Sequence, residues 1–202
     1  KSDGMWSIGH KDYTELPTIE VFAAHLKSKL ATRLDREERA NEAVQPHSQA
    51  LGSALSTIRR TAEAAALRVI VSSVMKDTDT PVLVLGDLND GQLSNTLSII
   101  TQQPAYRLYE ASRRGSSSDA GLYAAGTLQE FRSLRDVYYT HIHHGVRESL
   151  DHVLVSEQFY DHSKNRLWSF KEMRVWNDYV EDDDKSTSDH GVVCAYFTFD
   201  PA

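Results

Sequence analysis

The sequence predicts an α+β fold, and three observations carry that reading. Short apolar runs of strand length end on polar clusters, one long segment repeats apolar residues three and four apart, and the second half is rich in alternating strand-like stretches. Two of the polar clusters stand out. Pro81-Val82-Leu83-Val84-Leu85 runs straight into Gly86-Asp87-Leu88-Asn89, and about a hundred residues later Ser188-Asp189-His190 leads into Gly191-Val192-Val193-Cys194-Ala195-Tyr196-Phe197.

In chain order, Lys1 to Pro17 mixes Gly4, Gly9 and Pro17 with polar residues and reads as a loop or extended arm. Ile19 to Ala24 is a first strand that stops on His25-Leu26-Lys27-Ser28. From Arg33 to Met75 the chain is rich in Ala, Leu, Glu and Arg, with a break at Pro46. Its second part places Leu51, Leu55, Ile58, Ala62, Ala65 and Val69 at amphipathic helical spacing. Asp77 to Pro81 forms a turn, Val82 to Leu85 a buried strand, and Asn95 to Thr101 a short helix. Arg113 to Gly121 is expected to be a surface loop inside one domain that spans residues 1–202. Asp136 to His143 and Ser149 to Val155 read as the two strands of a hairpin turning at Gly145. Lys171 to Val175 and Val192 to Phe199 supply the closing strands.

The 202 residues suffice to bury a core, and 40% hydrophobic with 25% charged residues is the composition of a globular chain. No apolar run approaches the roughly 20 residues of a membrane-spanning helix. The compartment stays open between cytoplasm and secretion after processing. A net charge of −7 argues against a protein that coats nucleic acid, yet it admits a phosphodiesterase whose acids hold a cation. Glu181-Asp182-Asp183-Asp184 reads as a solvated loop, and the single Cys194 as a core residue.

Asp87 and Asn89 are two apart, so on an extended segment they share one side. There the acid orients or deprotonates a water or binds a cation, while the amide holds a phosphate oxygen or fixes the acid. A plain strand-end turn would use the same residue types. Asp189 beside His190 suits a metal-ligating acid next to an imidazole that touches phosphate or water, against a bland reading of a capping Asp and a surface His. Asp151, in Leu150-Asp151-His152-Val153, is placed to hold His190 in one tautomer and raise its pKa. His25 could stabilise a pentacoordinate phosphorane and Lys27 attract an anion. His141 and His143 could form an alternating pair of ligands on one strand face, but an exposed edge is the expected reading.

Together these clusters resemble the strand-end motifs of the endonuclease/exonuclease/phosphatase superfamily, in the same order and from Val21 to Phe199. The resemblance implies a four-layer α/β/β/α sandwich of the deoxyribonuclease I-like type. It also implies that Asp87 aligns or activates the attacking water with Asn89 beside it holding phosphate, that His190 contacts the scissile phosphate with Asp151 as its orienting partner, and that His25 is a second catalytic histidine. Asp189, with Asp87 and Asn89, would serve the metal, expected to be Mg2+ with Mn2+ or Ca2+ as substitutes. The family's first strands, one ending in Asn and one carrying a metal-binding Glu, have no counterpart here, since neither Glu15 nor Glu20 stands in a matching context. The chain is therefore expected to be the C-terminal portion of such a domain, associating with the missing half or with a second copy. The implied function is a metal-dependent phosphoesterase acting on a phosphate ester, nucleic acid included. The alternative is a binding or assembly module of the same fold with an incomplete site.

Overall fold

The computed structural model describes residues 16–102, 120–133, 138–143, 145–182, 184 and 186–202, with the backbone of two short strands at 6–8 and 11–13. Those two strands, β1 (Trp6–Ile8) and β2 (Lys11–Tyr13), pair antiparallel where a loop or arm is expected from sequence. Then come β3 (Glu20–Ala23), the short helix α1 (Arg36–Ala40) and the long helix α2 (Ser48–Met75). Asp35 and Glu38 close α1 with a reciprocal capping box, and Pro46 sits in a single 3-10 turn at 45–47 ahead of α2. Next follow β4 (Val82–Asp87) and α3 (Asn95–Thr101), the latter capped by Ser94 accepting from the Leu97 amide. The second half holds β5 (Tyr123–Ala124), α4 (Ala125–Arg132), β6 (His141–His143), β7 (Val146–Glu148), β8 (Asp151–Val155), β9 (Trp168–Trp176) and β10 (Val192–Phe199). Most of the loop expected at Arg113–Gly121 lies outside the described residues.

A four-stranded mixed sheet in the order β3-β4-β8-β5 occupies the centre. β4 runs parallel to β3 and antiparallel to β8, with Leu83 opposite Val155, Val84 opposite Leu154 and Asp87 opposite Asp151. Strand side chains alternate between faces, so each registered pair enters a different core. Val82, Val84 and Leu154 meet Ala64, Val71 and Met75 of α2 and Leu97 and Ile100 of α3. Leu83, Val153 and Val155 meet Phe170 and Met173 of β9 and Val193, Ala195 and Phe197 of β10, which pair antiparallel as a second sheet. Helices, sheet and second sheet thus stack in order, and both faces of the central sheet have a core. Among the described residues no helix covers the outer face of β9 and β10, so three of the four expected layers are present there. Cys194 lies half-buried in β10 rather than in either core.

The expected hairpin is built differently. β6 turns at Gly145 (φ 77°) and pairs with β7, whereas β8 leaves for the central sheet and joins β4 and β5. β7 is a separate three-residue strand that the apolar pattern hides, because Val146-Arg147-Glu148 is mostly exposed.

Helix α2 lies with its apolar stripe outward. Leu51, Leu55, Ile58 and Val69 are 43%, 44%, 66% and 70% exposed, and Ala62 and Ala65 between them are exposed too. The buried side carries Gly52, Ser56, Arg60, Ala64, Arg68, Val71 and Met75. Its polar half is occupied by the backbone of the loop after β3. The Thr32 amide donates to the Gly52 carbonyl at 3.0 Å, Ser56 Oγ donates to the Leu30 carbonyl at 2.6 Å, and Arg60 Nη1 donates to the Lys27 carbonyl at 3.1 Å. A loop backbone needs partners when it is covered, and small or polar residues supply them where leucines would not.

Gly86 fixes how closely β3 approaches β4. Its φ is +134°, and a Cβ there would stand 2.0 Å from the Ala24 carbonyl oxygen. Gly86→Ala is expected to destabilise the fold by about 3 kcal/mol or more, because the clash is with backbone and the conformation is strained for any L side chain. Chemical denaturation measures it, and a loss below about 1 kcal/mol would show that the two strands can separate freely.

Candidate active site

The polar clusters converge where β3, β4 and β8 end. Asp87 and Asp151 are directly opposed across the β4–β8 ladder, both pointing out of the sheet into an open cleft of about 1030 Å3. The pairing continues one step further through the Leu88 amide and the Leu150 carbonyl at 3.0 Å, so the strand ends are held where the acids sit. Asn89 follows in a left-handed conformation (φ 53°), which asparagine tolerates better than most residues.

Asn89 resolves a choice the sequence leaves open. Its backbone amide donates to Asp87 Oδ1 at 2.8 Å, and its Nδ2 donates to Asp87 Oδ2 at 2.9 Å and to the Leu26 carbonyl at 3.0 Å. Both side-chain protons are spent, so the amide fixes the acid and does not offer N–H to a phosphate. The same bonds tie the β4 loop to the chain leaving β3.

His190 Nδ1 donates to Asp151 Oδ2 at 2.7 Å, which leaves Nε2 facing Asp87 Oδ2 at 3.9 Å. His25 reaches the same Asp87 oxygen at 3.4 Å with a side chain 75% exposed. One carboxylate is therefore flanked by two imidazoles, one held by Asp151 and one exposed to solvent. Asp189 is exposed beside them at the cleft wall.

Two further histidines line the cleft. His143 is exposed on the two-stranded β6–β7 sheet, as expected, while the half-buried His141 bridges to His190 across the backbone with ring centroids 4.8 Å apart. Lys27 turns onto its own loop, with Nζ donating to the Ser28 and Leu30 carbonyls, and Lys29 takes the place at the cleft, paired with Glu148 at 2.6 Å. Two supporting residues escape a motif reading. Thr140, fully buried, accepts the Leu150 and Asp151 amides on Oγ1 and the Gly191 amide on its carbonyl, joining the Asp151 strand to the His190 segment. Arg60 bonds Lys27 and also approaches Asp90 Oδ2 at 3.4 Å, linking α2 to both loops. An isolated Thr or a helical Arg carries no sequence signal for such a role.

The profile of the endonuclease/exonuclease/phosphatase family matches residues 38–190, about three quarters of the chain. The chain belongs to that family. Searches of curated proteins and of solved structures returned no match. The match takes in Asp87, Asn89, Asp151, Asp189 and His190, and His25 lies ahead of it. Members of this endonuclease/exonuclease/phosphatase family are generally hydrolytic and typically bind a divalent metal.

The donors in the cleft suit such an ion. Asp87, Asp151 and His190 bring one donor atom each within 4.8 Å of one another, as do His141, Asp189 and His190. Carboxylates facing an open cleft are the donor type of a hydrated hard cation. The imidazole nitrogen His141 Nδ1 is buried without a hydrogen-bond partner, which adds an unused donor at the same wall.

Two histidines near the same acids carry opposite shifts. For His190, partial burial opposes the charged form, but the Asp151 hydrogen bond and the charges of Asp151, Asp87 and Asp189 outweigh it and lift the pKa above 6.5. For His152, burial dominates over its bond to the Asp90 carbonyl and over the nearby acids, and the pKa falls. The folded protein thus keeps a proton on His190 at pH values where an unfolded chain has lost it. That contribution to stability is complete below about pH 6.5 and is lost as pH rises through the raised value. An imidazole NMR titration in metal-free buffer is expected to place the His190 midpoint above 6.5 and the His152 midpoint below it, with Asp151→Asn lowering that of His190. A His190 midpoint unmoved by Asp151→Asn would refute the assigned cause.

Proposed function

We propose that this chain is a divalent-metal-dependent phosphodiesterase of the nuclease type, cleaving its substrate by in-line attack of water. The observation that carries the reading is the meeting of Asp87, Asn89, Asp151 and His190 with the exposed His25 in one open cleft. A cleft of that size, walled by imidazoles and Lys29, supports a polymer phosphodiester over a small phosphate.

Asp87, held on both oxygens by Asn89, aligns a water and takes its proton as the oxygen attacks phosphorus. His190, charged through Asp151, donates Nε2–H to a phosphoryl oxygen and opposes the charge that builds in the pentacoordinate transition state. The bond to the leaving oxygen breaks on the far side, and that oxygen takes a proton from water in the cleft. His25 follows the phosphate from its exposed position. Asp87 and Asp151, whose donor atoms lie within 4.8 Å of each other, would hold the cation with Asp189 exposed nearby at the cleft wall, Mg2+ by donor type with Mn2+ or Ca2+ as substitutes, and the ion would neutralise phosphoryl charge.

Hydrolysis of bis(p-nitrophenyl) phosphate and of DNA with added Mg2+, Mn2+ or Ca2+ tests this. Turnover is expected to vanish with chelator, to return with metal, and to fall at least about 100-fold in Asp87→Ala with an unchanged circular dichroism spectrum. Wild-type turnover no higher than that of Asp87→Ala would sink the enzyme reading.

A further inference from the structure

The outward stripe of α2 is a feature that catalysis does not use. We propose that it is a homodimer seam: two copies of this chain pair their α2 helices antiparallel about a two-fold axis near residue 60. Leu51, Leu55, Ile58, Ala62, Ala65 and Val69 are spaced four, three, four, three and four apart, the a/d repeat of a coiled-coil seam, and all six are exposed.

The order of large and small side chains fits a second copy of the same helix. In an antiparallel pair centred at residue 60, Leu51 meets the partner's Val69, Leu55 meets the partner's Ala65 and Ile58 meets the partner's Ala62. Every layer sets one a position against one d position, and each of the two inner layers sets a large side chain against a small one. An isologous interface requires such self-complementarity. A parallel pairing would instead stack Ile58 on Ile58 and leave Ala62 facing Ala62.

Charge supports the same occupant. Of the four charged residues along the helix, exposed Arg59 and half-buried Glu63 are already paired with each other at 2.8 Å, while Arg60 and Arg68 point inward. A membrane-binding helix would flank its apolar face with free cations, and interface cores are depleted of charge. The helix is about 42 Å long at 1.5 Å per residue. The stripe with the 53% exposed Ile70 beside it offers on the order of 500 Å2 per copy, which brings a pair to the lower limit of a specific interface. Gln49, which lines the cleft, lies on the opposite side of α2, so pairing along the stripe leaves both clefts open.

Sedimentation velocity between about 1 and 100 μM reads the mass directly. A shift with concentration from the 22.8 kDa chain towards twice that mass is expected. Ile58→Glu is expected to raise the dissociation constant at least tenfold with unchanged circular dichroism and unchanged hydrolysis per chain. Adding Ala62→Lys to it should recover part of the loss, because the pairing sets residue 58 against residue 62 of the other copy. A wild-type chain that stays monomeric at 100 μM overturns the proposal, as does a dimer indifferent to Ile58→Glu. Failure of the double variant to recover overturns the antiparallel register, and binding of monomers to anionic vesicles would assign the stripe to a lipid surface. None of these outcomes depends on whether the cleft hydrolyses phosphodiesters.

Discussion

The site depends on one registered pair of strands. β4 and β8 run antiparallel so that Asp87 stands opposite Asp151, and a slip of one residue would turn one acid into the helix-side core. Two apolar cores hold that register from both faces, since Val84 with Leu154 and Leu83 with Val155 are committed to different neighbours. Gly86, between Leu85 and Asp87, lets the β3 backbone come close enough for the Leu26 amide to reach the Asp87 carbonyl at 3.0 Å. The position of the acids is thus set by packing and sterics, before any charge interaction is counted.

From that pair, hydrogen bonds reach outward to the other parts of the cleft. Asn89 ties Asp87 to the end of the β3 strand, Thr140 ties the Asp151 strand to the segment carrying His190, and Arg60 ties α2 to the loop holding His25 and Lys27. The demand for backbone partners explains the unusual inner face of α2. Gly52, Ser56 and Arg60 must face the loop, so the helix satisfies covered backbone over its first half and packs the sheet only over its second, with Ala64, Val71 and Met75. The apolar stripe, displaced from the core by that task, is left on the outside.

The strand-end clusters were legible in the sequence because chemistry and turn-making both put Gly, Asp, Asn, Ser and His where apolar runs stop. His25, Asp87, Asn89, Asp151, Asp189 and His190 come together as their order along the chain implies. Periodicity gave the helix at 48–75 but not its orientation, since the period is the same whether the stripe faces the core or a partner. β6 and β7 were misread for a related reason. The run from Ser149 to Val155 is a good strand, yet the sequence shows only that it pairs, not with which strand, and its partners β4 and β5 are remote or very short. Thr140 and Arg60 carry no such signal because a side-chain hydrogen bond with distant backbone needs no pattern in that residue's own neighbourhood.

Placement relative to one strand also decides what the histidines can do. His152 and Asp151 are consecutive in β8, so their side chains leave opposite faces: Asp151 enters the cleft and His152 the helix side. There His152 donates Nε2–H to the Asp90 carbonyl while burial keeps it neutral, which makes it a fixed strut for the Asp87–Asp90 loop. His190 meets the same acids from the wet side, where their attraction outweighs its partial burial and raises its pKa. The acid pair therefore does two things at once. It favours the charged form of one imidazole beside a carboxylate that Asn89 restrains, and it does so without burying any ion pair, because both partners remain about one fifth exposed. Such a site avoids the large desolvation cost of a closed pair while keeping its donor and acceptor in fixed positions.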